Sequence, residues 1–72
     1  MKILYETPEG HLVASECLTV AAAKDVHDGQ WRVSMVASPD EDACVIADNL
    51  TEQEAKMIVR KLFDYGVYTR CP

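Results

Sequence analysis

The segment that most constrains this chain is residues 51–66, which has the pattern of one complete amphipathic helix. Thr51 and Glu54 have the spacing of a capping box, in which the Thr51 hydroxyl accepts a hydrogen bond from the Glu54 amide and the Glu54 carboxylate accepts one from the Thr51 amide. Gly66 stands where a residue in the left-handed conformation commonly ends a helix. These signals predict a helix over about residues 52–65.

This helix has one apolar face. Apolar side chains recur at the spacing of a single helical stripe, and they are Ala55, Ile58, Val59, Leu62 and Phe63. Lys56, Arg60 and Asp64 lie on the opposite side. Because burial of each large apolar side chain stabilises a fold by about 1.5–3 kcal/mol, we expect the whole stripe to pack against a sheet.

Short β-prone runs, separated by turn residues, precede the helix. They cover residues 2–5, 11–14, 17–25, 31–37 and 43–47, and residues 67–70 form either a short extra strand or an ordered tail. The third run is ambiguous, because residues 21–24 have helical propensity, whereas the alternation that begins with Leu18 and Val20 favours the strand we predict. The sequence thus predicts an α+β fold in a single domain over residues 1–72: a four- or five-stranded antiparallel sheet packed by one C-terminal helix.

One hairpin in this sheet has a specific signal. Asp28-Gly29 is a preferred pair for a two-residue hairpin loop. Such a loop would place Val26 opposite Trp31 and Asp25 opposite Arg32, which gives one apolar and one opposite-charge cross-strand pair. We therefore expect that register, with Trp31 in the core.

The charge balance narrows the range of partners. The 72 residues include 12 acidic and 7 basic side chains, for a formal net charge of −5. This charge disfavours direct binding to nucleic acid, whose affinity for proteins depends on phosphate neutralisation, and it disfavours anionic membrane surfaces. No apolar run is long enough to span a bilayer and no signal-peptide pattern begins the chain, so the expected compartment is cytoplasmic. Because a small domain has little surface to bury, a homodimer is also expected as one form of partnership.

Cysteine and histidine residues raise the alternative of a small metal- or thiol-dependent protein. The candidates are Cys17, Cys44, Cys71, His11 and His27. Zinc sites usually draw two ligands from one short loop or helical turn, whereas the nearest pair here is six residues apart. Cys44 lies in a predicted strand, where a small buried hydrophobe is the commoner role. We therefore expect no metal, no cofactor, no catalytic residue and no enzymatic activity.

Three segments together resemble a group of short proteins. They are Gly29-Gln30-Trp31-Arg32-Val33, Val45-Ile46-Ala47 and Leu50-Thr51-Glu52-Gln53-Glu54-Ala55. Their spacing resembles that of many short uncharacterised phage and prophage proteins, which have a small antiparallel sheet closed by one C-terminal helix. The resemblance implies an origin in a mobile element, and it implies no catalytic residue.

The remaining surface residues give a hypothesis of function. We expect partner-binding residues in the acidic turn and on the outer side of the helix, and they are Asp40, Glu41, Asp42, Lys56, Met57, Arg60 and Tyr65. Tyr68 is expected near the same exposed flank. The hypothesis is a small acidic protein-binding module that inhibits a host factor, for example a nucleic-acid-binding defence complex, by mimicking phosphates. Anti-CRISPR proteins are similar in size and charge.

Overall fold

A computed structural model describes residues 1–69 of the chain. Within them the elements follow in the order β1 (Lys2–Glu6), β2 (Leu12–Glu16), β3 (Thr19–Lys24), β4 (Trp31–Val36), β5 (Cys44–Leu50), α1 (Glu52–Tyr65) and β6 (Val67–Tyr68). The α+β class and the C-terminal helix are confirmed, and the ambiguous third run is a strand. Strand β6 confirms the predicted extra strand, although Arg70 lies outside the described residues.

The strands form two small sheets rather than one. Their orders are β2-β1-β6 and β3-β4-β5, and β6 runs parallel to β1. The chain crosses between the sheets at residues 17 and 18: the Cys17 amide donates to the Met1 carbonyl at 2.8 Å, and the Leu18 amide donates to the Val36 carbonyl at 2.7 Å. Because consecutive residues bond to different strands, one continuous path leaves the first sheet and enters the second. The predicted single sheet was therefore wrong in this detail.

The β3–β4 hairpin has a wider loop than predicted. Lys24 lies opposite Trp31 and Ala23 opposite Arg32, so the register differs by two residues from the expected one. The Asp25 amide closes the loop by donating to the Gln30 carbonyl at 2.8 Å, and Val26 is left 87% exposed. A shift of two residues keeps each side chain on its face of the sheet.

Hydrogen bonds within the loop explain its width. The Asp25 carboxylate accepts from the His27 amide at 2.8 Å, and the Asp28 carboxylate accepts from the Gln30 amide at 2.8 Å. Gly29, at a φ of 73°, donates its amide to the Asp25 carbonyl at 2.9 Å. Asp25 also forms an ion pair with Arg32, as expected, although the two residues are diagonal rather than opposite. Side-chain acceptors thus favour the four-residue loop over the tight turn.

Strand β5 continues past its predicted end at Ala47. It reaches Leu50 because its pairing with β4 shifts twice, between Trp31 and Val33 and again between Val33 and Ser34. Each shift adds a residue to β5, which is the arrangement of a β-bulge. Ile46 and Ala47 can therefore both be buried although they are consecutive.

The core lies between the two sheets and the helix. Its buried members are Ile3, Tyr5, Cys17, Val20, Val33, Met35, Ile46, Ala47, Leu50, Ala55, Ile58, Leu62 and Tyr68. Both halves of the capping box form: the Glu54 amide donates to the Thr51 hydroxyl at 3.2 Å, and the Thr51 amide donates to the Glu54 carboxylate at 3.0 Å. Gly66 ends the helix at a φ of 71°, as predicted.

Four expectations about burial were wrong. Phe63 is 55% exposed, because the small sheet covers only Ala55, Ile58 and Leu62 fully and leaves the rest of the stripe at its margin. Cys44 is exposed because it begins an edge strand. Tyr68 is buried because its pairing with Tyr5 in β1 turns its ring into the core. Trp31, expected in the core, is half-buried at its edge.

The bulge at Asn49 gives a stability prediction. Asn49 has a φ of 55°, in the left-handed region that β-branched residues disfavour. We expect Asn49→Val to lower the free energy of unfolding by about 1–2 kcal/mol and Asn49→Gly to leave it nearly unchanged or raise it. Urea unfolding of both variants measures this, and equal losses in both would contradict the assignment of the cost to backbone conformation.

Candidate functional site

The predicted binding residues lie in two groups. Lys56, Met57, Arg60 and Tyr65 are exposed on α1, and residues 40–42 form an exposed turn between β4 and β5. Lys56 stands over Trp31, the first residue of β4, whereas the acidic turn follows the last residue of that strand. A strand of this length spans about 17 Å, so Lys56 and the acidic turn lie at opposite ends of the second sheet.

The cationic side chains of the helix are paired locally. The Lys56 ammonium lies 2.7 Å from the Glu52 carboxylate and 5.9 Å from the centroid of the Trp31 ring. The Arg60 guanidinium lies 3.6 Å from the Asp64 carboxylate. Exposed pairs of this kind contribute little to stability, so both cations could be reoriented towards a partner at small cost.

Met57 and Tyr65 supply the apolar part of the helix surface. Met57 is 51% exposed and Tyr65 is 78% exposed, and eight residues of helix separate them by about two turns on one flank. Neither is needed to fill the core. Large apolar side chains on a polar helix surface are typical of residues that anchor a protein–protein contact.

Met57 also borders a shallow groove between the helix and β6. The groove has a volume of about 270 Å³, and it is lined by Leu50, Glu54, Met57, Ile58, Lys61, Tyr68 and Thr69. Its apolar lining comes from residues of the core edge, and Glu54 and Lys61 supply one charge of each sign. The groove is too open to enclose a small substrate and is better suited to receiving a side chain from a partner.

Phe63 is an exposed residue that the sequence pattern assigned to the core. It lies on the other flank of α1, seven residues after Lys56, and is 55% exposed. The pattern gave one indirect signal: the stripe holds five apolar residues, more than a narrow sheet can cover. Phe63 therefore adds a second apolar position to the helix surface.

The acidic turn is fully accessible. Its backbone is held by a hydrogen bond of 3.2 Å from the Glu41 amide to the Ser38 carbonyl. Asp40, Glu41 and Asp42 are all exposed, and no basic side chain within residues 1–69 forms a salt bridge with them. The turn therefore presents a concentration of negative charge to the solvent.

The thiol and imidazole groups of the alternative hypothesis are dispersed. Cys17 is buried, Cys44 is exposed, and Cys71 lies outside the described residues. In the part of the chain that the structure describes, no cluster of three His, Cys, Asp or Glu side chains could hold a metal ion. Cys44 does lie near Tyr5: burial raises the pKa of the Tyr5 phenol above its ordinary value, and the negative charge of the Cys44 thiolate raises it further.

No model of a known protein family matches the sequence, and no curated protein or solved structure is similar to the chain. Among the described residues, no helix is both long enough and apolar enough to cross a lipid bilayer.

The start of the helix gives a prediction about ionisation. Hydrogen bonds from the Thr51 backbone amide and, to a smaller extent, from the Thr51 side chain lower the pKa of Glu54 below its ordinary value. A carboxyl group with a lowered pKa stabilises the fold above the unfolded pKa, and the stabilisation is lost as the pH falls through the folded pKa. Thr51→Ala removes only the side-chain contribution, so we expect the pKa of Glu54 to rise part of the way towards its ordinary value.

Glu52 provides the internal control for this titration. The hydrogen bond and the charge of Lys56 lower the pKa of Glu52, so the Thr51→Ala substitution should leave it unchanged. Side-chain carboxyl resonances followed by NMR between about pH 2 and 7 measure both groups. A Glu54 midpoint that does not move, or a Glu52 midpoint that moves equally, would show that the capping box is not the cause.

Proposed function

We propose that this chain is a non-enzymatic module that binds another protein through the flank of α1 that carries Met57 and Tyr65. The observation that carries the proposal is the exposure of these two side chains, 51% and 78%, beside the apolar groove formed with β6. Folding requires neither residue to be apolar. A surface of this size could bind a complementary ridge on a partner, with the two aromatic or thioether groups as anchors.

The acidic turn favours a basic partner. Asp40, Glu41 and Asp42 add to a net charge of −5, and acids spaced along a turn can occupy a groove that otherwise binds phosphates. The sharper form of the proposal is inhibition of a host nucleic-acid-binding factor by such mimicry, in the cytoplasm, by a protein encoded in a phage or prophage. The small size and the acidity support this form.

The proposal predicts which substitutions abolish binding. The wild-type protein is immobilised and used to capture a partner from bacterial lysate, and the captured protein is then titrated against purified variants. Met57→Glu should weaken binding by about tenfold or more, because it places a charge in the apolar contact. Val26→Glu is the matched control: Val26 is 87% exposed in the hairpin loop, and its substitution should leave binding unchanged. Equal effects of the two substitutions would contradict the assigned surface.

The salt dependence of the same capture tests the basic partner. Exposed charges interact over about 10 Å at about 0.1 M salt and over about 3 Å at 1 M. A partner held by mimicry should be released as the salt is raised, and the variant Asp40→Asn/Glu41→Gln/Asp42→Asn should bind weakly at all salt concentrations. Capture that survives high salt but is lost in Met57→Glu would support the apolar surface and reject the mimicry.

A further inference from the structure

The outer face of the first sheet is the surface on which a second contact can be argued. Ile3 and Tyr5 of β1 are buried, so the alternating residues Lys2, Leu4 and Glu6 lie on the opposite face. The strand register then fixes their neighbours. In β2, Glu16 lies beside Lys2, Ala14 beside Leu4 and Leu12 beside Glu6, and in β6 Val67 lies beside Leu4.

The centre of this face is apolar although no described element covers it. Leu4, Ala14 and Val67 form a row across the three strands, and Leu12 lies next to that row. Leu12 is 60% exposed and Val67 is 40% exposed. The helix packs on the other side, against the second sheet and β6. An antiparallel sheet with one face on the core usually has a polar outer face, so this composition is typical of a contact surface.

The charges on this face are complementary to the charges of an identical copy. Along β1 the outward residues read cation, apolar, anion: Lys2, Leu4, Glu6. A two-fold axis that passes over Leu4, perpendicular to the strands, brings each Lys2 over the Glu6 of the other copy and stacks the two apolar rows on each other. Two-fold symmetric interfaces must be self-complementary in this way, and an unrelated partner would have no reason to match the order.

From this arrangement we infer that a second copy of the chain stacks on the outer face of the β2-β1-β6 sheet, with its β1 antiparallel to the first. The three strands span roughly 15 by 17 Å, which is well below the roughly 800 Å² per partner of a standard interface. The dimer is therefore weak and reversible, and it is populated at high protein concentration. The surface is separate from the α1 flank, so the two contacts can be tested independently.

Sedimentation equilibrium over a concentration series tests the inference. The average mass should rise from 8.0 kDa towards twice that value as the concentration approaches about 1 mM. Lys2→Glu and Glu6→Lys should each weaken association about tenfold, because like charges then face each other across the axis. An equimolar mixture of these two variants should associate again, because each charge in one chain meets its opposite in the other.

Matched controls separate the stacked face from a general charge effect. Lys24→Glu and Asp48→Lys change exposed charges elsewhere and should leave association unchanged. Leu12→Asn removes an exposed apolar contact without touching the core, so it should weaken association even if a charge variant folds poorly. A mass that stays at 8.0 kDa at every concentration, association that is insensitive to Leu12→Asn, or a mixture of folded charge variants that does not associate would each overturn the inference.

Discussion

Burial of the helix residues Ala55, Ile58 and Leu62 is the interaction on which the rest of the structure depends. A three-stranded sheet of five- to seven-residue strands has too little apolar area to be stable without a packed layer. The helix packs against β3, β4 and β5 of one sheet and against β6 of the other. One buried stripe therefore holds two sheets on a common core.

The two ends of the helix fix its position along that core. The capping box at Thr51 follows directly from the end of β5, so the helix begins where the second sheet stops. At the other end, the Gly66 carbonyl accepts a hydrogen bond of 2.7 Å from the Leu4 amide, which leads the chain into the parallel β1–β6 pair. A Cβ atom at Gly66 would lie 3.2 Å from the Lys2 carbonyl oxygen, so this close approach favours glycine there in addition to the left-handed φ.

Because the inward faces are used by folding, binding has to be sought on the outward ones. The helix presents Met57 and Tyr65 on one flank, and the first sheet presents Leu4 and Leu12 on its open face. These surfaces differ in chemistry. The helix flank combines mobile anchors with a groove, whereas the sheet face is flat, with charges of opposite sign at its two ends.

Local sequence signals predicted the helix, its cap, its end and the third strand, because each depends on residues within a few positions of one another. The division into two sheets and the parallel β6 depend on pairings between distant residues, which periodicity does not reveal. The same limit explains the errors in burial. Phe63 and Tyr68 belong to patterns that specify a face but not the width of the surface that covers it. Met57 and Tyr65 were found because helical spacing alone places them away from the stripe.

Amide hydrogen exchange of Ile58→Val tests most directly whether one core supports both sheets. This substitution removes one buried methyl group and should cost about 0.5–1.5 kcal/mol without unfolding the domain. If the core is shared, the slowest-exchanging amides of β1 and of β4 should both lose protection by the same factor, about threefold to tenfold. Loss of protection confined to one sheet would contradict the shared core and show that the two sheets are stabilised separately.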